Sequence, residues 1–554
     1  MIRRFANWRT SLLFAALVLF GSALLLAQAS LPTPKPRGGF RIAGVVVNAK
    51  TSQPVSRVQV SVTNTKNSKD TQSVVTTDDG RFQFQVTAGK YSLQGSKKGF
   101  LTSAYEQHEN FWTGIVTGAG LDTENLTLRL PPTAVITGAV TDEIGEPVRG
   151  ATITVYRENH FAGAARIEPV ANVATDDLGT YEVPSLSAGT YFVSATAQPW
   201  YAEHPPSSRA DAELVSLVDH NLDVAFPISY YKAAMESNDA TPIPIRPADH
   251  AEVDFQVSPV PALHLVLHST ADASGQFNVP TLQRSAFDGA APPSETHIEQ
   301  VSPGVFELTG LAAGRYTLEA HNSADGSMKG STDIDLTNDG QEVDLSAGAP
   351  AASVKMTVQL QGSAQLPTRL FLGLRDEKGK VGALSEVNEK GEIEFLGVVP
   401  GKYDVIAGST RKTYSVLRIT SEDVVSSGHT LSVPAGASLP VSVVLVGGAV
   451  TVEGFAQKSG KAAAAAMVVL VPSDPESNLE LFRRDQSDLD GSFALAGIIP
   501  GTYTILAIEN GWDLDWAKPA VIESYRRHGQ KIVVGEDGKG TQRLPAPVEV
   551  QPRL

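Results

Sequence analysis

The chain has 554 residues, 60 acidic against 45 basic side chains, a formal net charge of −15 and no cysteine. An acidic surface argues against nucleic acid and anionic membranes as partners. Without cysteine there is no disulfide, thiol nucleophile, cysteine-ligated zinc or lipidated N-terminal cysteine. Glycine (48) and proline (34) are plentiful, and apolar stripes at helical spacing are nearly absent after residue 30, which favours many short strands joined by turns.

The N-terminus differs in kind. Arg3, Arg4 and Arg9 precede an apolar run from Leu12 to Leu26 and then Ala27-Gln28-Ala29. A positive region, a short apolar region and a small-x-small site read as a secretory signal peptide over 1–29. The run is short of the roughly 20 apolar residues that a spanning helix needs. Residues 30–38 form a Pro-rich linker. The protein is therefore expected to be exported, to the periplasm, cell surface or extracellular space, with no membrane insertion once the signal is removed.

From residue 39 onward one arrangement occurs five times. First-turn glycines are Gly80, Gly179, Gly304, Gly391 and Gly491, and second-turn glycines are Gly89, Gly189, Gly314, Gly401 and Gly501. Two residues past each second glycine stands a tyrosine: Tyr91, Tyr191, Tyr316, Tyr403 and Tyr503. Repetition at fixed offsets marks a repeated structural unit. Apolar residues alternate on either side of each glycine, as in Phe493 and Leu495 or Tyr503 and Ile505, which puts them on one face of a strand. Each copy reads as a β-hairpin or a strand-turn-strand corner. The tyrosine is expected to pack inward with its hydroxyl on a backbone group.

Taken in order, unit one (39–131) runs from the strand Ile42 to Asn48 through Val58 to Val62, with a loop over 64–72, to Leu126–Leu130. Unit two (132–260) repeats this closely and carries an insertion over 199–249, with a short helix expected over 210–218. Unit three (261–349) has lost its first turn, which leaves its first sheet in question, and ends in a hairpin at Asn338-Asp339-Gly340. Unit four (350–448) closes at Leu431 to Val433, and unit five (449–554) ends in a last strand near Val548. Neighbours are expected to meet only at short junctions.

Unit two carries Ile136, Gly138, Val140, Gly145, Pro147-Val148, Gly150-Ala151, Thr175-Asp176-Asp177, Gly179, Tyr181, Leu186, Gly189 and Tyr191. This pattern resembles the carboxypeptidase regulatory-like domain, a transthyretin-like, carbohydrate-binding-like sandwich. Unit one matches well, units four and five match at the corner, and unit three departs at its front. The resemblance implies an all-β tandem array of about five Greek-key, prealbumin-like β-sandwich domains after a signal peptide. It also implies an accessory or cell-surface module and transfers no catalytic residue.

Among the motifs that carry chemistry, no zinc-protease helix, nucleophile elbow or phosphate loop occurs. His264 and His268 share a strand face without a third ligand and are read as solvated or at an edge. The aspartates Asp78-Asp79, Asp176-Asp177, Asp488 and Asp490 are read as turn formers splayed into solvent. No cofactor or metal is expected.

One feature suggests a ligand. Trp112, Trp200, Trp512 and Trp516 all fall in loops after a corner, with Tyr201 beside Trp200 and polar residues beside each. Such aromatics either cover a sandwich end or stack on a sugar ring while polar neighbours bond its hydroxyls. The expectation is an exported non-enzymatic binding or scaffold protein whose partner is a polysaccharide or another envelope protein. The alternative is an accessory stalk that spaces or regulates a separate enzyme.

Overall fold

A computed structural model describes residues 39–554 apart from 119, 162, 205–218, 270–276, 288, 292–296, 323–326, 346–347, 364, 378–380, 383, 410–413, 422–425, 428, 449, 477 and 536–539. The signal segment 1–29, the linker 30–38 and the helix expected over 210–218 lie outside the described residues.

The strands sort into five successive sandwiches, the first four built on two facing sheets; in the fifth, Val548–Gln551 pairs with both Val450–Lys458 and Gly501–Ile508 and joins the two faces into one nine-stranded sheet. In unit one the opening strand Phe40–Asn48 pairs antiparallel with Arg81–Val86 and parallel with the closing strand Leu126–Leu130. The facing sheet runs in the order Asn67–Val75, Gln59–Asn64, Lys90–Ser96, Ser103–Ala104. Inward residues of both sheets make the core, in which Ile42, Val46, Val60, Phe84, Leu93 and Leu128 are each 2% exposed or less. The parallel pairing of opening and closing strands recurs in every unit. Ala134–Thr141 lies beside His250–Glu252, Leu263–His268 beside Gln341–Asp344, Ala352–Leu360 beside Ser438–Gly447, and Val450–Lys458 beside Gly540–Arg543.

The repeated motif is a corner between sheets, not a hairpin. Arg81–Val86 lies on the opening strand, whereas Lys90–Ser96, just past the second glycine, pairs in the other sheet with Gln59–Asn64. The first glycine is required at each corner. Gly80 and Gly491 have φ of +74° and +80°, and a Cβ there would stand 2.8 Å from the Val46 carbonyl and 2.4 Å from the Ala456 carbonyl. The glycine's own carbonyl accepts the amide of the opening strand in all five copies, from Val46, Val140, Ser269, Val358 and Ala456.

The tyrosines do as their spacing implies. Each hydroxyl donates to the carbonyl four residues back: Tyr91 to Thr87 (3.2 Å), Tyr191 to Ser187 (2.8 Å), Tyr316 to Ala312 (2.6 Å), Tyr403 to Val399 (2.7 Å) and Tyr503 to Ile499 (3.0 Å). Burial pushes the Tyr503 hydroxyl up to about 12, so it stays a donor.

Five expectations change. The polar stretch 64–72 is largely strand, because Asn67–Val75 forms the sheet edge, where exposed polar side chains are tolerated. Asn338 to Gly340 joins two sheets instead of making a hairpin, since Met328–Leu336 pairs with Gly314–Asn322 and Gln341–Asp344 with the opening strand. Unit three has two full sheets. Unit four closes later than Val433, through Ser438–Gly447, flanked by the added strand Tyr414–Thr420. Unit five contains a helix, Pro519–Arg526, with Pro in its first turn and Ile522 and Tyr525 buried.

Candidate functional site

The five aromatics that the sequence singles out divide into two groups. Trp512 and Trp516 are buried, 8% and 7% exposed, where unit five packs against units one and two. His108 of unit one stacks on Trp512, ring centres 5.2 Å apart and 6° from parallel, and Phe111 lies 5.3 Å away. The Trp516 indole donates to the His160 carbonyl of unit two at 3.2 Å. Asp515 between them accepts from the Ala165 amide (2.7 Å) and pairs with His160 (2.9 Å) and Lys518 (2.7 Å). Partial burial pushes the Asp515 carboxyl up, but the bonds from Lys518, His160 and Ala165 outweigh it and hold it below its ordinary value.

Arg484 is the centre of this join. Its guanidinium is 4.3 Å from the Trp516 ring centre, 5.2 Å from Phe111 and 5.8 Å from Trp512. It binds both carboxylate oxygens of Glu109, at 2.7 and 3.3 Å, and donates to the Phe161 carbonyl at 3.3 Å. The pair is well buried, at 7% and 14% side-chain exposure. One arginine thus ties units one, two and five together by charge, hydrogen bonds and aromatic faces.

Beside it, the Gln486 side-chain amide donates to the Glu106 carbonyl and the Thr113 hydroxyl, and its oxygen meets His108 Nδ1 at 3.1 Å. Asp488, placed in solvent by its turn sequence, is in fact 3% exposed at the side chain. It accepts from Lys90 (2.5 Å) and the Gly114 amide (2.9 Å) of unit one. Burial pushes its carboxyl up, against the pull of Lys90. Short-junction contact is therefore corrected: the last unit docks on the first two.

Two further joins use titratable side chains. Between units two and three, Asp223 meets His204 Nδ1 at 3.0 Å and His264 Nε2 at 3.3 Å, and His264 Nδ1 meets Asp339 at 2.8 Å. His264 is thus buried at a join instead of solvated, while His268 is half-exposed beside Glu342. Between units four and five, Glu480 lies 3.3 Å from His429 and 4.0 Å from Arg375; burial pushes its carboxyl up. No sequence signal separates Arg484 from Arg483, or Asp223 and Glu480 from surface carboxylates, because their partners lie far along the chain.

The remaining aromatics stay accessible. Trp112 is half-buried with the Lys90 ammonium 5.9 Å over its ring, and Trp200 is 87% exposed with the half-buried Tyr201 ring edge-on at 5.7 Å and 89°. A groove of about 790 Å³ in unit four, lined by Leu366, Pro367, Arg369, Glu386 and Lys390, contains none of these rings. Among the described residues no helix is long and apolar enough to cross a membrane.

No curated protein matches the chain. Solved structures similar to it include the Bacillus anthracis TIE protein (12% identity, TM-score 0.17, covering 74% of each chain). The minor pilin GBS52 of Streptococcus agalactiae is another (13%, 0.20, covering 40% of this chain and 97% of that one). A third is the shaft pilin SpaA of Lactobacillus rhamnosus GG (12%, 0.18, 40% and 97%). Likeness at this level says nothing about what the chain binds. The model of the carboxypeptidase regulatory-like domain matches residues 41–130 and 135–220, the stretches that hold the first two corners and their buried tyrosines. Units one and two are two tandem carboxypeptidase regulatory-like domains.

Proposed function

We propose that the protein is an exported, non-catalytic scaffold, closed upon itself, that presents the Trp200–Tyr201 turn to a polysaccharide of the cell envelope. The observation that carries this reading is the contrast among the tryptophans. Trp512 and Trp516 are buried in joins between units, whereas the Trp200 indole is 87% exposed and adds nothing to a core. An indole held in water beside a second ring fits the apolar face of a pyranose. Trp112 is a second, weaker contact, since Lys90 covers one of its faces. Trp512 and Trp516 would serve a ligand only through the fold they stabilise. Domain limits near 132, 261, 350 and 449 belong to the same proposal, with export directed by residues 1–29.

The test is tryptophan fluorescence of the full chain titrated with neutral and charged oligosaccharides, repeated on Trp200→Ala and Trp112→Ala. The expected outcome is a saturable change that Trp200→Ala abolishes and Trp112→Ala weakens. A flat response to every oligosaccharide would remove carbohydrate from consideration and leave the accessory-stalk reading.

A further inference from the structure

We propose that the Trp200–Tyr201 turn selects amine-bearing polysaccharides of the glucosamine type over their acetylated or acidic counterparts, a refinement that rests on the carbohydrate reading above. The turn is built rigidly. Ala202 donates to the Pro199 carbonyl (3.0 Å), Glu203 to Leu222 (2.8 Å), and the Thr309 hydroxyl of unit three to the His204 carbonyl (3.2 Å). His204 is itself held by Asp223. The backbone is therefore fixed by the join between units two and three, yet the indole projects into water. The two rings stand at 89°, so a sugar lying on the indole turns one edge toward the phenol.

What surrounds that edge is acidic. Strand pairing brings three turns to one end of the sandwich, because Thr180 lies opposite Ala139 and Thr196 opposite Thr152. That end carries Glu143, Glu146, Asp177 and Glu203, all exposed. Arg149 supplies a cation there, and Asp177 pairs with it at 2.9 Å. Desolvation, followed by the negative charges of Glu143 and Asp142, pushes the Tyr201 hydroxyl up, which puts those carboxylates within electrostatic reach of the ring. Ile144, 74% exposed at the tip of the neighbouring turn, adds a further apolar group at this end. A sugar edge carrying an ammonium meets acceptors and opposite charge here, whereas a uronic acid meets repulsion. The same charges disfavour an anionic lipid surface.

The experiment titrates the full chain with hexasaccharides of glucosamine, N-acetylglucosamine and galacturonic acid, at low and high salt, alongside Trp200→Ala and the double variant Glu143→Gln/Glu203→Gln. Circular dichroism checks that each variant is folded. An exposed charge pair is worth up to about five-fold in affinity, so the glucosamine hexamer should bind roughly five- to ten-fold more tightly than the acetylated one at low salt. High salt should narrow the gap. The double variant should bring the glucosamine hexamer down to the acetylated one, and Trp200→Ala should abolish both. Equal binding of the two hexamers by the native chain overturns amine selection and leaves carbohydrate binding intact. Binding of no hexamer sinks the carbohydrate reading and this refinement together. Glucosamine binding unchanged in Trp200→Ala places the site elsewhere.

Discussion

Tyr191 shows how much a single residue contributes to these corners. Its ring is 1% exposed and its hydroxyl donates to the Ser187 carbonyl at 2.8 Å. Tyr191→Phe should cost about 1 kcal/mol, the net value of a buried hydrogen bond, and Tyr191→Ala roughly 3–5 kcal/mol; urea unfolding followed by circular dichroism separates the two. Equal losses would mean that the hydroxyl contributes nothing. Asp485 bears on pH. Desolvation pushes its carboxyl above the ordinary range despite accepting the Ala494 and Gln486 amides. A group whose folded pKa is raised binds its proton more readily in the native state, so its effect on stability improves as pH falls through that raised value. Native protein should therefore gain on Asp485→Asn as the pH falls from neutral toward the ordinary carboxylate range, read from urea midpoints. A gap that widens in the other direction would contradict the burial account. The corner tyrosines were legible in the sequence because their offset from glycine repeats within the chain. Asp488 was not, because its turn sequence is that of a solvent tip and only unit one buries it.

At the scale of elements, the join between units one and five is a loop held in an unusual shape. Glu106 and Glu109 have φ of +46° and +51°, a left-handed conformation disfavoured for residues with a side chain. Gln486 holds the first through its carbonyl and Arg484 the second through its carboxylate. Removing one partner of this buried pair should cost about 3–5 kcal/mol of docking stability, because the other charge is left buried. Arg484→Ala and Glu109→Ala should each do so, and the double variant should lose less than the sum. Strict additivity in that cycle would show that the pair is not coupled. Strand existence was readable from alternation, but partner choice was not. Asn338 to Gly340 has hairpin chemistry, yet the strand after it crosses to the opening strand of the other sheet. Likewise the loop position after a corner pointed to Trp512 and Trp516, while their burial depends on His108, hundreds of residues away in the chain, and on Arg484 of their own unit.

Across the whole molecule, the five sandwiches are not independent beads. A protease site introduced between units three and four should leave the two halves together in size-exclusion chromatography, since unit five grips units one and two. The same cleavage in Arg484→Ala should release them; halves that part in the native chain would refute the closure. Tyr191→Ala should then loosen units three and five as well as unit two, through Asp223 and His160. The parallel pairing of first and last strands has a mechanical consequence. Where the strands that enter and leave a module run side by side in the same direction, tension pulls them past each other and stresses all their rungs at once. Were they antiparallel, the rungs would open singly like a zipper. Each module is thus laid out to resist stretching along the chain, whatever its equilibrium stability. Pulling a single molecule by its ends should show this as separate high-force ruptures, in which the applied load samples the unfolding rate and not the folding balance.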